Sequence, residues 1–138
     1  MTKDIWINLP VRDVATSTTF YKEIGFAFNL QAPNHERMSS FIVGENKLII
    51  NIFSEDLIES FSANKIADTN LGNEVLFSLG ANNTTEVDEM LSLAERAGGK
   101  IYAAGGWKDG WMYGGGFIDL DGHRWNVLHM DFTKMPSS

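Results

Sequence analysis

The stretch Gly114–Met130, GGGFIDLDGHRWNVLHM, decides how the rest of the chain is read. It predicts a strand from Phe117 to Leu120, a tight turn at Asp121-Gly122 and a second strand from His123 to Met130. Asp-Gly between two apolar runs favours a type I′ hairpin turn, in which both central residues take positive φ. Side chains alternate along a strand, so Asn126, Leu128 and Met130 share one face, and Trp125, Val127 and His129 the other. Asn126 is then an uncharged polar group among apolar neighbours on a sheet face. It is either a satisfied core amide or the wall of a pocket.

Working outward, Ile5 to Val11 predicts a strand with Ile7, Leu9 and Val11 on one face and Trp6 and Asn8 on the other. DVATSTTFYKEIGF follows as a helix from Asp13, with Val14, Phe20, Tyr21 and Ile24 as its apolar stripe and Gly25 as its stop. Ala27 to Leu30 is a short strand. Met38 to Val43 and Lys47 to Phe53 form a hairpin around Gly44-Glu45-Asn46, with Ile49, Asn51 and Phe53 on one face of its second strand. The pattern then breaks, and residues 54–72 read as a linker with a helical turn or two around Leu57 to Ile66.

After the linker the order restarts. Glu74 to Leu79 is a strand, with Val75, Phe77 and Leu79 opposite Glu74, Leu76 and Ser78. Thr84 or Thr85 caps a helix that carries Val87, Met90, Leu91 and Ala94 at helical spacing and stops at Gly98-Gly99. Lys100 to Ala103 is a strand, residues 104–116 a Gly- and Trp-rich loop, and the opening hairpin closes the chain. Strand, helix and three strands thus occur twice, which predicts an α+β chain of two βαβββ modules, 4–53 and 73–131, forming one domain over residues 1–138. In that register Trp6 falls opposite Glu74, and Asn51 opposite Asn126.

Composition bounds the functional classes. The 138 residues hold no cysteine, which excludes disulfides and thiolate metal sites. A formal net charge of −7 argues against nucleic acid, whose phosphates need a basic surface. The same charge suits a cationic small ligand, and equally serves only to keep the chain soluble. No stretch reads as a signal peptide or a membrane span, so a cytoplasmic location and no membrane partner are expected.

Two βαβββ modules with INLPVRDVATSTTFYKEIGF near the start, AERAGGKI after the second helix and GFIDLDGHRWNVL at the end resemble the vicinal oxygen chelate superfamily. That superfamily includes glyoxalase I, bleomycin- and fosfomycin-resistance proteins and extradiol dioxygenases. The resemblance implies a curved mixed sheet from each module, a cup for a small ligand between them, and a homodimer. It also implies a metal held by one residue from the first and one from the last strand of each module. Carried over, those positions are Trp6, Asn51, Glu74 and Asn126. Indole offers only an N–H donor and cannot ligate a cation, and Asn51 and Asn126 stand where the family has glutamate. One carboxylate and two amides make a poor site for a divalent first-row metal, so no metal or other cofactor is expected.

The remaining candidates have two readings each. Glu74 is a pocket carboxylate able to act as a general base, or an exposed group at a strand start. Asn51 and Asn126 orient a ligand, or satisfy each other across the module interface. Trp6, with Asn8 beside it on the same face, is an aromatic wall or core packing. Trp111 and Tyr113, in the glycine-rich segment, line the rim of the cup or fold onto it. His123 and His129 lie six residues apart on one strand, about 20 Å at 3.3 Å per residue, and cannot share an ion. His35 belongs to a polar loop. The leading expectation is a metal-free protein that binds an aromatic or cationic small molecule. The alternatives are a divalent-metal lyase, isomerase or dioxygenase of glyoxalase type, and a metal-independent enzyme using Glu74 as base.

Overall fold

The computed structural model of the chain describes residues 1–136. The chain divides into two compact units, Met1–Asn70 and Leu71–Ser138.

The first unit contains β1 (Trp6–Val11), α1 (Val14–Glu23), β2 (Ala27–Phe28), β3 (Met38–Val43), β4 (Leu48–Ser54) and α2 (Glu55–Ser62). Its sheet runs β1-β4-β3-β2, with β1 parallel to β4 and the other pairs antiparallel. The Asp13 carboxylate accepts from the Thr16 amide at 3.2 Å and caps α1. Gly25, at φ +98°, ends it in a conformation that glycine adopts without strain. The α1 stripe of Val14, Phe20, Tyr21 and Ile24 is buried, as are Leu9, Phe41, Ile50 and Ile52 on the sheet. Tyr21 meets Phe41 at 5.7 Å between ring centroids, and Thr18 on α1 hydrogen-bonds Ser39 on β3 at 2.7 Å. Each such fully buried apolar side chain contributes about 1.5–3 kcal/mol.

The first part of the predicted linker is ordered as α2. It starts directly after β4, lays Phe61 edge-on against Phe53 at 5.2 Å, and ends at Ala63 in the left-handed region. Arg37 pairs with Asp56 on this helix. The Ser54 hydroxyl, followed by the Arg37 charge, holds the Asp56 carboxyl below its ordinary value.

The second unit repeats the order with β5 (Leu76–Gly80), α3 (Thr84–Arg96), β6 (Lys100–Lys108), β7 (Met112–Ile118) and β8 (Arg124–Met130), followed by a 3₁₀ turn, Phe132–Lys134. The sheet runs β5-β8-β7-β6, again with the first and last strands parallel. Val87, Leu91 and Ala94 of α3 are buried, as are Phe117, Trp125 and Val127 of the sheet. Both α+β units are therefore βαβββ modules. Among the described residues no helix is long and apolar enough to cross a membrane.

Four local expectations are corrected. β5 begins at Leu76, which leaves Glu74 outside the strand. The cap of α3 is Asn83, whose side chain accepts from the Glu86 amide at 2.9 Å, rather than Thr84 or Thr85. Residues 104–116 are mostly strand, turning at Asp109-Gly110-Trp111. Both Asp109 and Gly110 have positive φ there, +56° and +78°. At Asp121-Gly122 only the glycine does, at +91°. That turn is instead closed by buried Asp119, whose Oδ1 accepts from the amides of Asp121 at 3.0 Å and His123 at 2.9 Å. Its Oδ2 accepts from the Trp125 indole at 3.1 Å.

Candidate functional site

In each sheet one face carries α1 or α3 and the other carries the asparagine of the fourth strand, and in the first unit α2 also packs on that second face through Phe61 against Phe53. On the first sheet Asn8, Asn51 and Ser40 sit side by side on β1, β4 and β3. Asn51 Nδ2 donates to Asn8 Oδ1 at 3.0 Å, and Asn29 Nδ2, beyond β2, donates to Ser40 Oγ at 3.2 Å. The Ser40 amide donates to Asn34 Oδ1 at 2.9 Å, which ties the loop after β2 to the end of this polar row. Asn51 is buried while Asn8 is exposed. On the second sheet Ser78, Asn126 and Gly116 hold the same places on β5, β8 and β7, and Asn126 Nδ2 donates to Ser78 Oγ at 3.3 Å.

This register corrects the alignment of the two modules. Asn51 pairs with the third residue of β1, and Asn126 with the third residue of β5, so Asn8 corresponds to Ser78. Trp6 pairs with Ile49, and its counterpart is Leu76, paired with Arg124, rather than Glu74. Glu74 is exposed, two residues before β5. Asn51 and Asn126 each make a hydrogen bond within their own sheet. Ser78 was missed because alternation assigns it a face but not a partner.

Next to Asn126, Gly116 has no side chain and the Tyr102 ring occupies that space; a Cβ on Gly116 would collide with it. The Arg124 guanidinium lies 4.9 Å from the Tyr102 centroid, a cation–π distance. Gly115 faces the other way, where a Cβ would meet the Ala103 carbonyl oxygen and Leu91, each at 2.7 Å. These glycines are contact positions inside a sheet, which is why reading them as loop failed.

Tyr113 is not on the Asn126 face. It pairs with Trp107 and His129, and its hydroxyl donates to Asp88 of α3 at 2.8 Å. That hydrogen bond, with desolvation, raises the Tyr113 pKa above the ordinary tyrosine value. Trp107 meets Tyr113 edge-on at 5.4 Å and carries Lys134 Nζ 4.8 Å from its ring. Trp111, in the β6–β7 turn, packs at 6.0 Å from Phe132, and its carbonyl accepts from the Asp131 amide. The structure brings Trp111 and Tyr113 together with the C-terminal 3₁₀ turn rather than with the asparagines. The Thr133 hydroxyl holds the Asp131 carboxyl below its usual range, with Lys134 and His129 adding to the effect.

Metal chemistry can be tested on the donor set itself. At the four positions that the resemblance gives to metal ligands stand an indole (Trp6), two amides (Asn51 and Asn126) and one exposed carboxylate (Glu74). Only Glu74 is charged, whereas first-row divalent ions are held by several imidazole, carboxylate or thiolate groups. Among the described residues no three His, Cys, Asp or Glu side chains converge. His35 is exposed and its Nδ1 accepts from the Arg37 amide, while His129 Nδ1 lies 3.2 Å from the Ala81 carbonyl oxygen. These residues do not fit the metal that the fold family implies.

Comparison with known proteins agrees with this architecture. Residues 3–39 match the bleomycin resistance protein-like N-terminal family. The hypothetical protein SA1046 from S. aureus is 32% identical, with 94% of each chain covered and a TM-score of 0.81. A glyoxalase-related enzyme from Fulvimarina pelagi is 17% identical over 94% of this chain and 88% of its own, at TM-score 0.79. A lactoylglutathione lyase from Agrobacterium tumefaciens is 18% identical, with 94% of each chain covered and a TM-score of 0.63. The last two show a shared fold. No curated protein sequence matches the chain. The chain thus has the fold of the glyoxalase/bleomycin resistance/dioxygenase proteins, and its residues 3–39 carry the bleomycin resistance protein-like N-terminal match.

Proposed function

We propose that this chain is a small-molecule-binding protein that works without a tightly bound metal and uses the polar centres of its asparagine-bearing sheet faces to fix the ligand. One observation carries the reading: Asn51 and Asn126, which stand where the resemblance puts glutamate ligands, are each engaged in a neutral hydrogen-bonding pair, Asn8–Asn51 and Ser78–Asn126. Neutral amides orient a ligand by hydrogen bonds but neither hold a divalent ion nor stabilise developing charge as metals do. Trp6, at 62% exposure beside Asn8, supports an aromatic or apolar ligand by offering a ring face. A homodimer belongs to the same reading, and sedimentation of the purified protein tests it.

The test has two arms. Metal analysis of untagged protein, followed by titration with Zn²⁺, Ni²⁺, Mn²⁺ and Fe²⁺ at micromolar concentration, is expected to find no stoichiometric ion. A fragment screen mapped by backbone amide NMR is expected to place hits around Asn51 or Asn126. Stoichiometric metal that disappears in Asn51→Leu or Glu74→Gln overturns the reading, as does a screen whose hits all avoid both asparagines.

A further inference from the structure

The proposed binding role leaves open what kind of ligand the Asn8–Asn51 face takes, and the hydrogen-bond inventory narrows it. Each asparagine amide has two N–H donors and one oxygen that accepts. Asn51 Nδ2 spends one donor on Asn8 Oδ1. Among the described residues these two amides make no other side-chain hydrogen bond. Asn8 keeps both N–H groups, and Asn51 keeps its oxygen and one N–H. Asn51 is buried at 7% exposure and the pair meets solvent through the exposed Asn8. Exchanging nitrogen and oxygen in both amides only swaps which residue offers the donors. Either way, adjacent strands present a free donor beside a free acceptor.

The strand residues around the pair are uncharged. On the same face, Trp6 and Pro10 flank Asn8 on β1, and Ile49 and Phe53 flank Asn51 on β4. Ser40 is the polar neighbour on β3. A charged ligand group set here would lose water without meeting an opposite charge, which costs far more than seating a neutral polar group. A neutral group with its own donor and acceptor side by side replaces both lost water contacts.

We infer that the first unit's asparagine-bearing face, entered at the exposed Asn8 edge, binds a neutral carboxamide-type group, a primary or secondary amide or a ureide, with its C=O on the Asn8 N–H and its N–H on Asn51 Oδ1, and an attached ring against Trp6. This rests on the binding role proposed above and departs from the cationic ligand that the net charge suggested.

Three probes of one size separate the chemistries: benzamide, benzoate and benzamidine, neutral, anionic and cationic at pH 7. Each is titrated into the full ¹⁵N-labelled chain while the Asn8 and Asn51 side-chain amide signals and the Trp6 indole signal are followed. Benzamide is expected to move all three, with benzoate and benzamidine about tenfold weaker or without effect. Asn8→Asp, at an exposed position that tolerates the change, is expected to weaken benzamide and to bring benzamidine to equal or greater affinity. Benzoate or benzamidine moving these signals in the wild type as strongly as benzamide overturns the carboxamide assignment and leaves small-molecule binding standing. Silence of all three signals with every probe also overturns the assignment. The binding role itself then falls only if the broader fragment screen avoids both asparagines.

Discussion

Asn51 reaches across the parallel β1–β4 pair and donates to Asn8 at 3.0 Å, so a buried amide is satisfied by an exposed one. The bond ties Asn51, which stands where the resemblance puts a glutamate ligand, to a second neutral amide. Its weight in folding is small, because the acceptor on Asn8 is open to water and a lost bond there is replaced by solvent.

Asn51→Leu is therefore expected to stay within about 1 kcal/mol of wild type in urea unfolding, since a leucine of similar size joins Ile49 and Phe53 on that face. The same variant should lose ligand binding at the first unit. A loss of more than about 3 kcal/mol would make Asn51 a structural amide instead.

Asp119 behaves in the opposite way. Its carboxylate is buried and accepts from two backbone amides and the Trp125 indole at 2.9–3.1 Å, closing the β7–β8 turn from inside. Asp119→Ala leaves these donors without their acceptor, and the buried indole N–H cannot turn to water. A loss of about 3 kcal/mol is expected, read as a lower urea midpoint in tryptophan fluorescence. An unchanged midpoint would show that water replaces the carboxylate.

How much of this was legible in the sequence depends on what kind of signal each feature leaves. The α1 boundaries were readable because Asp13 and Gly25 act locally, as cap and stop. The face carrying Asn51 and Asn126 was readable because alternation has a period of two. The rung was not, for the same reason: Glu74, Leu76 and Ser78 share one side of the alternation, and only the pairing with β8 selects Ser78 as the partner of Asn126. The β6–β7 strands were missed because glycine was taken as a mark of turns. At Gly115 and Gly116 it marks close approach by Ala103 and Tyr102, residues distant enough in sequence to leave no local trace.

Those two glycines should differ when given a methyl group. At Gly115 the Cβ meets the Ala103 carbonyl oxygen and Leu91 at 2.7 Å, inside a sheet that cannot give. Gly115→Ala is expected to cost about 1–3 kcal/mol as overpacking. At Gly116 the obstacle is the side chain of Tyr102, a partly exposed residue that can swing aside. Gly116→Ala should lower Tm less, and Tyr102→Ala in the same chain should restore most of the loss. Equal Tm losses without that rescue would show the Tyr102 ring to be fixed.

Tyr113 provides a pH prediction with a definite sign. Its hydroxyl donates to Asp88, so the neutral phenol is favoured in the folded chain and the pKa lies above the ordinary value of 10.0. A group whose folded pKa is raised supports the fold below the unfolded pKa and loses that support as pH rises through the folded one. Tyr113 is half-buried but its hydroxyl bond to Asp88 lies at the surface, so the effect on stability is small and the titration itself is the useful readout. Asp88→Asn removes the carboxylate charge but keeps an oxygen that can accept. The Tyr113 ring signal, followed by NMR between pH 8 and 12, is expected to titrate later in wild type than in Asp88→Asn, with the variant returning toward the ordinary value. Coincident titrations would mean that the Tyr113–Asp88 bond is not held in solution, and would detach β7 from α3 at this point.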